Sequence, residues 1–212
     1  KTEDKKENNN EESKEKPKKI RFAIVDEANK NESFLKFREE FKEKLAKRDL
    51  KYLLSIIDPR IKFTFGVAGD FKKFYGLDSE GYEKSIIWND LEKIISLGGS
   101  FTQEGEFCAP YVFCNWPDEI KGIENVAIIE EDVKLYKAPN SSSEVITTIG
   151  YEIVKTNYNS KALRLGWTAV QLFNGTKGFV KTDQVRSPTD YRAWFKEISH
   201  GKWVMTTFIS GD

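Results

Sequence analysis

The sequence predicts an α+β protein in which a two-part α+β domain is interrupted by an all-β segment. Three observations carry this reading. Residues 20–122 mix helical apolar stripes with short strands. Residues 124–187 break into short strands separated by turn residues. Residues 189–212 hold a hairpin with no local sheet to join. A lone hairpin is only marginally stable, so its partners must lie before residue 120.

Composition supports a folded body. The chain has 212 residues, 39% hydrophobic and 13% aromatic. That is enough for a sizeable core. Basic and acidic residues balance at 34 each, which excludes the cationic footprint of a nucleic-acid binder. Residues 1–19 are read as a disordered tether, because KTEDKKENNNEESKEKPKK has no apolar side chain to offset the cost of ordering. The chain begins at Lys1, and a polar tail of this kind suits a tether behind a lipidated cysteine preceding Lys1. The expectation is an exported protein of the bacterial cell envelope, periplasmic or tethered to the outer membrane, touching membrane only through that anchor.

The elements follow in order. Ile20–Val25 is read as a short strand. A helix capped by Ser33 carries Phe34, Phe37, Phe41 and Leu45 on one face, and charged residues on the other. A second helix starts at Asp49 and stops at Pro59. Ile61, Phe63 and Phe65 alternate as a strand. A third helix, about residues 79–97, buries Ile87, Leu91, Ile94 and Ile95 and ends at Gly98–Gly99. Phe101–Asn115 reads as strand with a turn near Gly105. After Pro188, a helix from Asp190 competes with a hairpin of Tyr191–Ile198 and Lys202–Ile209. The β-formers of the second arm favour the hairpin.

Residues 127–187 carry a motif. The segment opens AIIEEDVKLYKAPNSSSEVITTI, and its later part runs Trp167, Val170, Leu172, Gly175, Gly178, Phe179, Val180. This resembles the bacterial SH3 (SH3b) family, with Tyr136 near the family's usual arginine and Phe179 in place of its late tryptophan. The resemblance implies an all-β SH3-like barrel over 124–187 that binds a peptide, a cell-wall glycopeptide or a protein partner. Tyr136, Tyr151, Tyr158 and Trp167 are the candidate ligand-binding residues, with barrel core the competing role for Trp167 and Tyr151. The flanking segments, 20–122 and 189–212, resemble a discontinuous, cone-shaped NTF2-like fold. The span from Phe37 to Asp212 also looks like an uncharacterised group of bacterial SH3-containing proteins, on residues that include Arg48-Asp49, Leu97-Gly98-Gly99, Ala109-Pro110-Tyr111 and Arg186-Ser187-Pro188.

Chemistry is sparse. The one histidine, His200, falls in a turn, without the partners a nucleophilic mechanism needs. Two cysteines and one histidine make a poor zinc set, and no phosphate-binding or dinucleotide glycine pattern is present. The carboxylates Asp118-Glu119, Glu130-Glu131-Asp132 and Asp78/Glu80 sit in polar contexts that suit solvent. No catalytic residue, metal or cofactor is therefore expected, and the reading is a non-catalytic binding protein. The alternative is a small-molecule binder or weak enzyme using a cone cavity lined by Trp88, Tyr111, Trp116, Trp194 and Trp203, where a dense core is the competing reading.

Cys108 and Cys114 are expected to stay unpaired. Along a strand six residues span roughly 20 Å, whereas a disulfide holds Cα atoms within about 7 Å. A bond requires the chain to fold back at Ala109-Pro110.

Overall fold

The computed structural model describes residues 19–66, 69–158 and 161–211. Apart from Lys19, the expected tether lies outside them. The fold is α+β, with helices packed on a five-stranded sheet and a second sheet of seven strands.

Helix α1 spans Glu32–Ala46 and buries Phe34, Phe37, Phe41 and Leu45 as their spacing predicts. Its cap is Asn31, whose side chain accepts the Phe34 N–H at 3.0 Å. Ser33, expected as the cap, lies inside the first turn and accepts the indole N–H of Trp203 instead. Asp49 caps α2, Leu50–Ser55, which ends before Pro59. Pro59 lies within strand β1, Ile57–Lys62. That position is tolerated because β1 is the edge of its sheet, where a missing N–H breaks no ladder. Phe63 and Phe65 fall beyond the strand.

A single turn, α3, covers Phe71–Phe74. The helix expected over about 79–97 is shorter: Tyr82–Lys84 is a 3-10 turn, and the main helix α4 is Ile86–Ser96, capped by Ser85. The expected strand over 101–115 also breaks up. Strands β2 (Ser100–Phe101) and β3 (Phe107–Ala109) flank a turn at Gly105, and Tyr111–Cys114 is the helical turn α5.

This break corrects the cysteine expectation. The peptide between Ala109 and Pro110 is cis, and the chain turns there into α5. Cys108 and Cys114 come to 5.9 Å between Cα atoms and form a disulfide. An extended segment cannot do this; one strand residue followed by a helical turn can. Thiol titration of the unfolded, unreduced protein should find no reactive thiol, and reduction should release two. Replacing both cysteines by alanine should cost about 2 kcal/mol, at the low end for a native disulfide because the loop is short.

Strands β4 (Asn125–Ile128), β5 (Val133–Tyr136), β6 (Val145–Ile149), β7 (Ile153–Thr156), β8 (Trp167–Gln171), β9 (Lys177–Lys181) and β10 (Val185–Arg186) form the seven-stranded sheet, ordered β10-β4-β7-β8-β9-β5-β6. Val126, Ile128, Val133, Leu135, Val154, Val170 and Val180 fill its core. In the β8–β9 turn Gly175 takes a positive φ and Asn174 does not. Strands β11 (Arg192–Ser199) and β12 (Lys202–Ile209) are the C-terminal hairpin, and His200–Gly201 is its turn. The five-stranded sheet is ordered β1-β12-β11-β3-β2, so its two central strands follow the seven-stranded sheet in the chain.

Phe107, Phe195, Trp203, Met205 and Phe208 from this sheet meet α1 and α4 in one buried cluster. Phe34 is its hub, 4.1 Å from Phe107 and 4.9 Å from Trp203 between ring centroids. The five proposed cavity aromatics do not line one space. Trp88, Tyr111 and Trp203 are buried, and the indoles of Trp88 and Trp116 bond the carbonyls of Tyr82 and Ile120. Trp194 packs on Phe113 over the opposite face of the sheet, beside the disulfide.

Residues 20–22 are not a regular strand of the α+β unit. Phe22 N–H donates to the Tyr151 carbonyl at 2.7 Å, and Arg21 bridges Glu152. Phe22 then joins Tyr111, Val112, Ala127 and Ile153 in a small apolar cluster that fixes one sheet against the other.

Candidate functional site

The register of the seven-stranded sheet sorts its side chains by face. Lys155 pairs with Gln171, and Gln171 with Lys177, so the three form a row across β7, β8 and β9. Directly paired residues share a face. Ala169 pairs with Phe179, and Phe179 with Tyr136, giving a second row. Trp167 pairs with Lys181 in a third. Residues of opposite parity, Val170, Val180 and Leu135, are the buried core. The outer face therefore carries Tyr136, Trp167 and Phe179, with lysines around them.

Tyr136 meets Trp167 edge to face at 5.2 Å between centroids. Tyr136 and Phe179 are half-buried, whereas Trp167 is only 8% exposed and supports the Tyr136 ring. Lys155, Lys177 and Lys181 are exposed on the same rows, and Lys134 is exposed two residues from Tyr136 on β5. Lys137, also exposed, pairs with Glu144 at 3.1 Å. A groove of about 450 Å³ runs here between Lys137, Lys155, Gln171, Lys177 and Phe179.

The other two candidates lie elsewhere. Tyr151 sits at the junction with residues 20–22, at a φ of 44°, its N–H donating to the Glu130 carbonyl at 3.3 Å. Tyr158 is 44% exposed and lines a cleft between α4 and the seven-stranded sheet.

That cleft, about 500 Å³, gathers ionisable groups that pattern reading did not single out as a site. Arg186 is buried, and its Nη2 donates to the Tyr191 carbonyl at 2.5 Å. Its Nε lies 3.6 Å from Asp190, an ion-pair distance too long for a good hydrogen bond. Burial pulls the guanidinium pKa down, while Asp190 and Asp90 oppose that shift. Tyr158 shares a hydrogen bond with Ser187, yet burial keeps its hydroxyl above the usual tyrosine range. Asp90 on α4 is also raised, chiefly by burial, which Arg186 and Lys93 only partly offset. Arg186 stands in the motif Arg186-Ser187-Pro188, but Asp90, whose charge also acts on it, is 96 residues away by number, and no local pattern links them.

A carboxyl held above its unfolded pKa binds protons more tightly in the folded state, so folding stability falls as pH rises through the window above the usual aspartate value. Asp90→Asn should therefore raise the melting temperature at neutral pH, and the gain should vanish in acid below the ordinary aspartate pKa. Equal stability of the two proteins at neutral pH would contradict this.

The expected absence of chemistry at His200 concerns an exposed turn residue between β11 and β12. Asp78, Glu80, Asp118, Glu119, Glu130, Glu131 and Asp132 are exposed. Among the described residues there is no group of three or more His, Cys, Asp or Glu placed to hold a metal. Among them also, no helix is long and apolar enough to cross a membrane. No protein-family model, curated protein or solved structure shows a significant match to this chain.

Proposed function

We propose that this chain is a non-catalytic binding protein of the bacterial cell envelope. In this reading the seven-stranded unit is an SH3-like barrel inserted into an NTF2-like α+β unit. The observation that carries the function is the outer face of β5, β8 and β9. Tyr136 rests on Trp167, Phe179 pairs with Tyr136 across the strands, and exposed lysines surround them. Aromatic faces take extended peptides and sugars at small entropic cost. The lysines select ligands with carboxylate or other anionic groups. An extended peptide or a cell-wall glycopeptide has both features, so the ligand lies across Tyr136 and Phe179 with its anionic groups on Lys155 and Lys177.

Export is supported by the Cys108–Cys114 bond, since disulfides persist in oxidising compartments. The test is co-sedimentation with purified cell wall, comparing the wild type with a Tyr136→Ala, Phe179→Ala double variant. Both residues are half-buried, so neither change opens the core.

The cleft beside Arg186 favours a second reading, a site for a small polar molecule. It has a few hundred Å³ of space, an uncommitted half-buried carboxyl at Asp90 and a half-exposed Tyr158. A small-molecule screen by thermal shift, with hits lost on Asp90→Asn, would support it over the sheet face.

A further inference from the structure

The four edge strands of the two sheets are not equally protected. In the five-stranded sheet, β1 carries Asp58, Pro59, Arg60 and Lys62, and β2 is only two residues long. In the seven-stranded sheet, edge strand β10 is also two residues long. Charge, proline and brevity are the usual ways to stop an edge from pairing with another chain. Strand β6 has none of them. Its sequence is Val145-Ile-Thr-Thr-Ile149, all β-branched and uncharged, and residues 145–148 are exposed. Among the described residues its only neighbour is β5.

The free edge faces a groove of about 370 Å³ lined by Ile146, Thr147, Thr148 and Ile149. Across it stand Leu172, Phe173, Asn174 and Thr176, held as a tight turn by Leu172 N–H donating to the Thr176 carbonyl at 2.8 Å. The groove is thus bounded by strand backbone on one side and by a partly apolar wall on the other. Glu152 also lines it. The Glu152 side chain is 6% exposed, and Lys19 Nζ lies 2.9 Å from its Oε1 while remaining 58% exposed. A buried carboxylate needs a cation beside it. This one has a mobile-stemmed, solvated ammonium that costs little to displace.

We propose that the β6 edge is a docking site for an extended peptide, which adds as a further strand and sets a basic side chain on Glu152 in place of Lys19. Main-chain bonds to residues 145–149 supply the general affinity, and Glu152 supplies the choice of a lysine, an arginine or another ammonium-bearing residue. The site is independent of the lysine-ringed aromatic face, and its charge preference is the opposite.

The experiment follows backbone amide signals of the full chain by NMR during titration with acetyl-Ser-Val-Thr-Lys-Thr-Val-Ser-amide, and with the same peptide carrying Gln for Lys. The lysine peptide should move the signals of residues 145–149 and 172–176. The Gln peptide should bind at least about tenfold more weakly, the scale of a lost charge-assisted hydrogen bond. Glu152→Gln should give the same loss with the lysine peptide. Lys19→Ala should tighten that peptide, because the internal competitor is gone. Lys19 is exposed, so this variant decides the matter even if Glu152→Gln folds poorly. The proposal is overturned by equal affinity of the two peptides, by an unchanged or weaker affinity in Lys19→Ala, or by β6 signals that stay fixed at millimolar lysine peptide. Signals of β6 that shift with protein concentration alone would also overturn it, because a second copy then occupies the edge.

Discussion

A chain ended at Pro188 should lose its α+β unit while the seven-stranded unit stays folded. Among the described residues strand β1 pairs only with β12, and β3 pairs with β11 and β2, so the deletion leaves β1 and the β2–β3 pair without a sheet. It also removes Phe195, Trp203, Met205 and Phe208, all at most 2% exposed. Each such side chain contributes about 1.5–3 kcal/mol by burial, against a total stability of about 5–15 kcal/mol for a typical domain. The truncated protein should expose Phe34 and Phe107 and bind a hydrophobic dye. Its amide signals from α1 and α4 should collapse while those of β4–β9 stay dispersed. Native signals from residues 32–46 in the truncated chain would show that the N-terminal part folds alone.

The second large effect is expected at Phe34. Its ring is fully buried and lies within 6.1 Å, centroid to centroid, of Phe37, Phe101, Phe107, Phe195 and Trp203. Those neighbours come from α1 and four strands, β2, β3, β11 and β12, so no single element can move to fill the space. Phe34→Ala should cost about 3–5 kcal/mol in denaturant unfolding. Ile123→Ala, at a residue 65% exposed, should change stability by no more than about 0.5 kcal/mol. Similar costs at the two positions would mean that Phe34 is not the hub of the core.

Helix α1 was legible because its four apolar positions recur at helical spacing and a turn-former precedes them. The choice of Asn31 over Ser33 was not, since both are good caps and the tertiary bond from Trp203 decides which is free for the helix. The C-terminal hairpin was legible from its β-formers and its Gly turn. The course of residues 107–114 is not legible because Phe-Cys-Ala-Pro-Tyr-Val-Phe-Cys alternates like a strand, while the turn at Ala109–Pro110 and the short helix after it leave no periodic signal.

Site residues divide in the same way. Tyr136 and Trp167 are candidates by motif, and strand parity puts them on one face with Phe179, which the sequence offers only as a strand residue, while Tyr151 and Tyr158 lie elsewhere. Their lysines are ordinary surface residues until the strand register sets them in rows. Arg186 and Asp90 come to one cleft only because α4 and the second sheet border it, a juxtaposition no window of sequence contains.

Co-sedimentation with purified cell wall at low and high salt tests the proposed binding face on β5, β8 and β9 most directly. The wild type should sediment with the wall at low salt and release as salt screens the exposed lysines. The Tyr136→Ala, Phe179→Ala variant should bind at least about tenfold more weakly, as loss of two stacking aromatics implies, with its circular dichroism unchanged. Undiminished binding by that variant, or a wild type that stays in the supernatant at low salt, would contradict the assignment of this face as the ligand site.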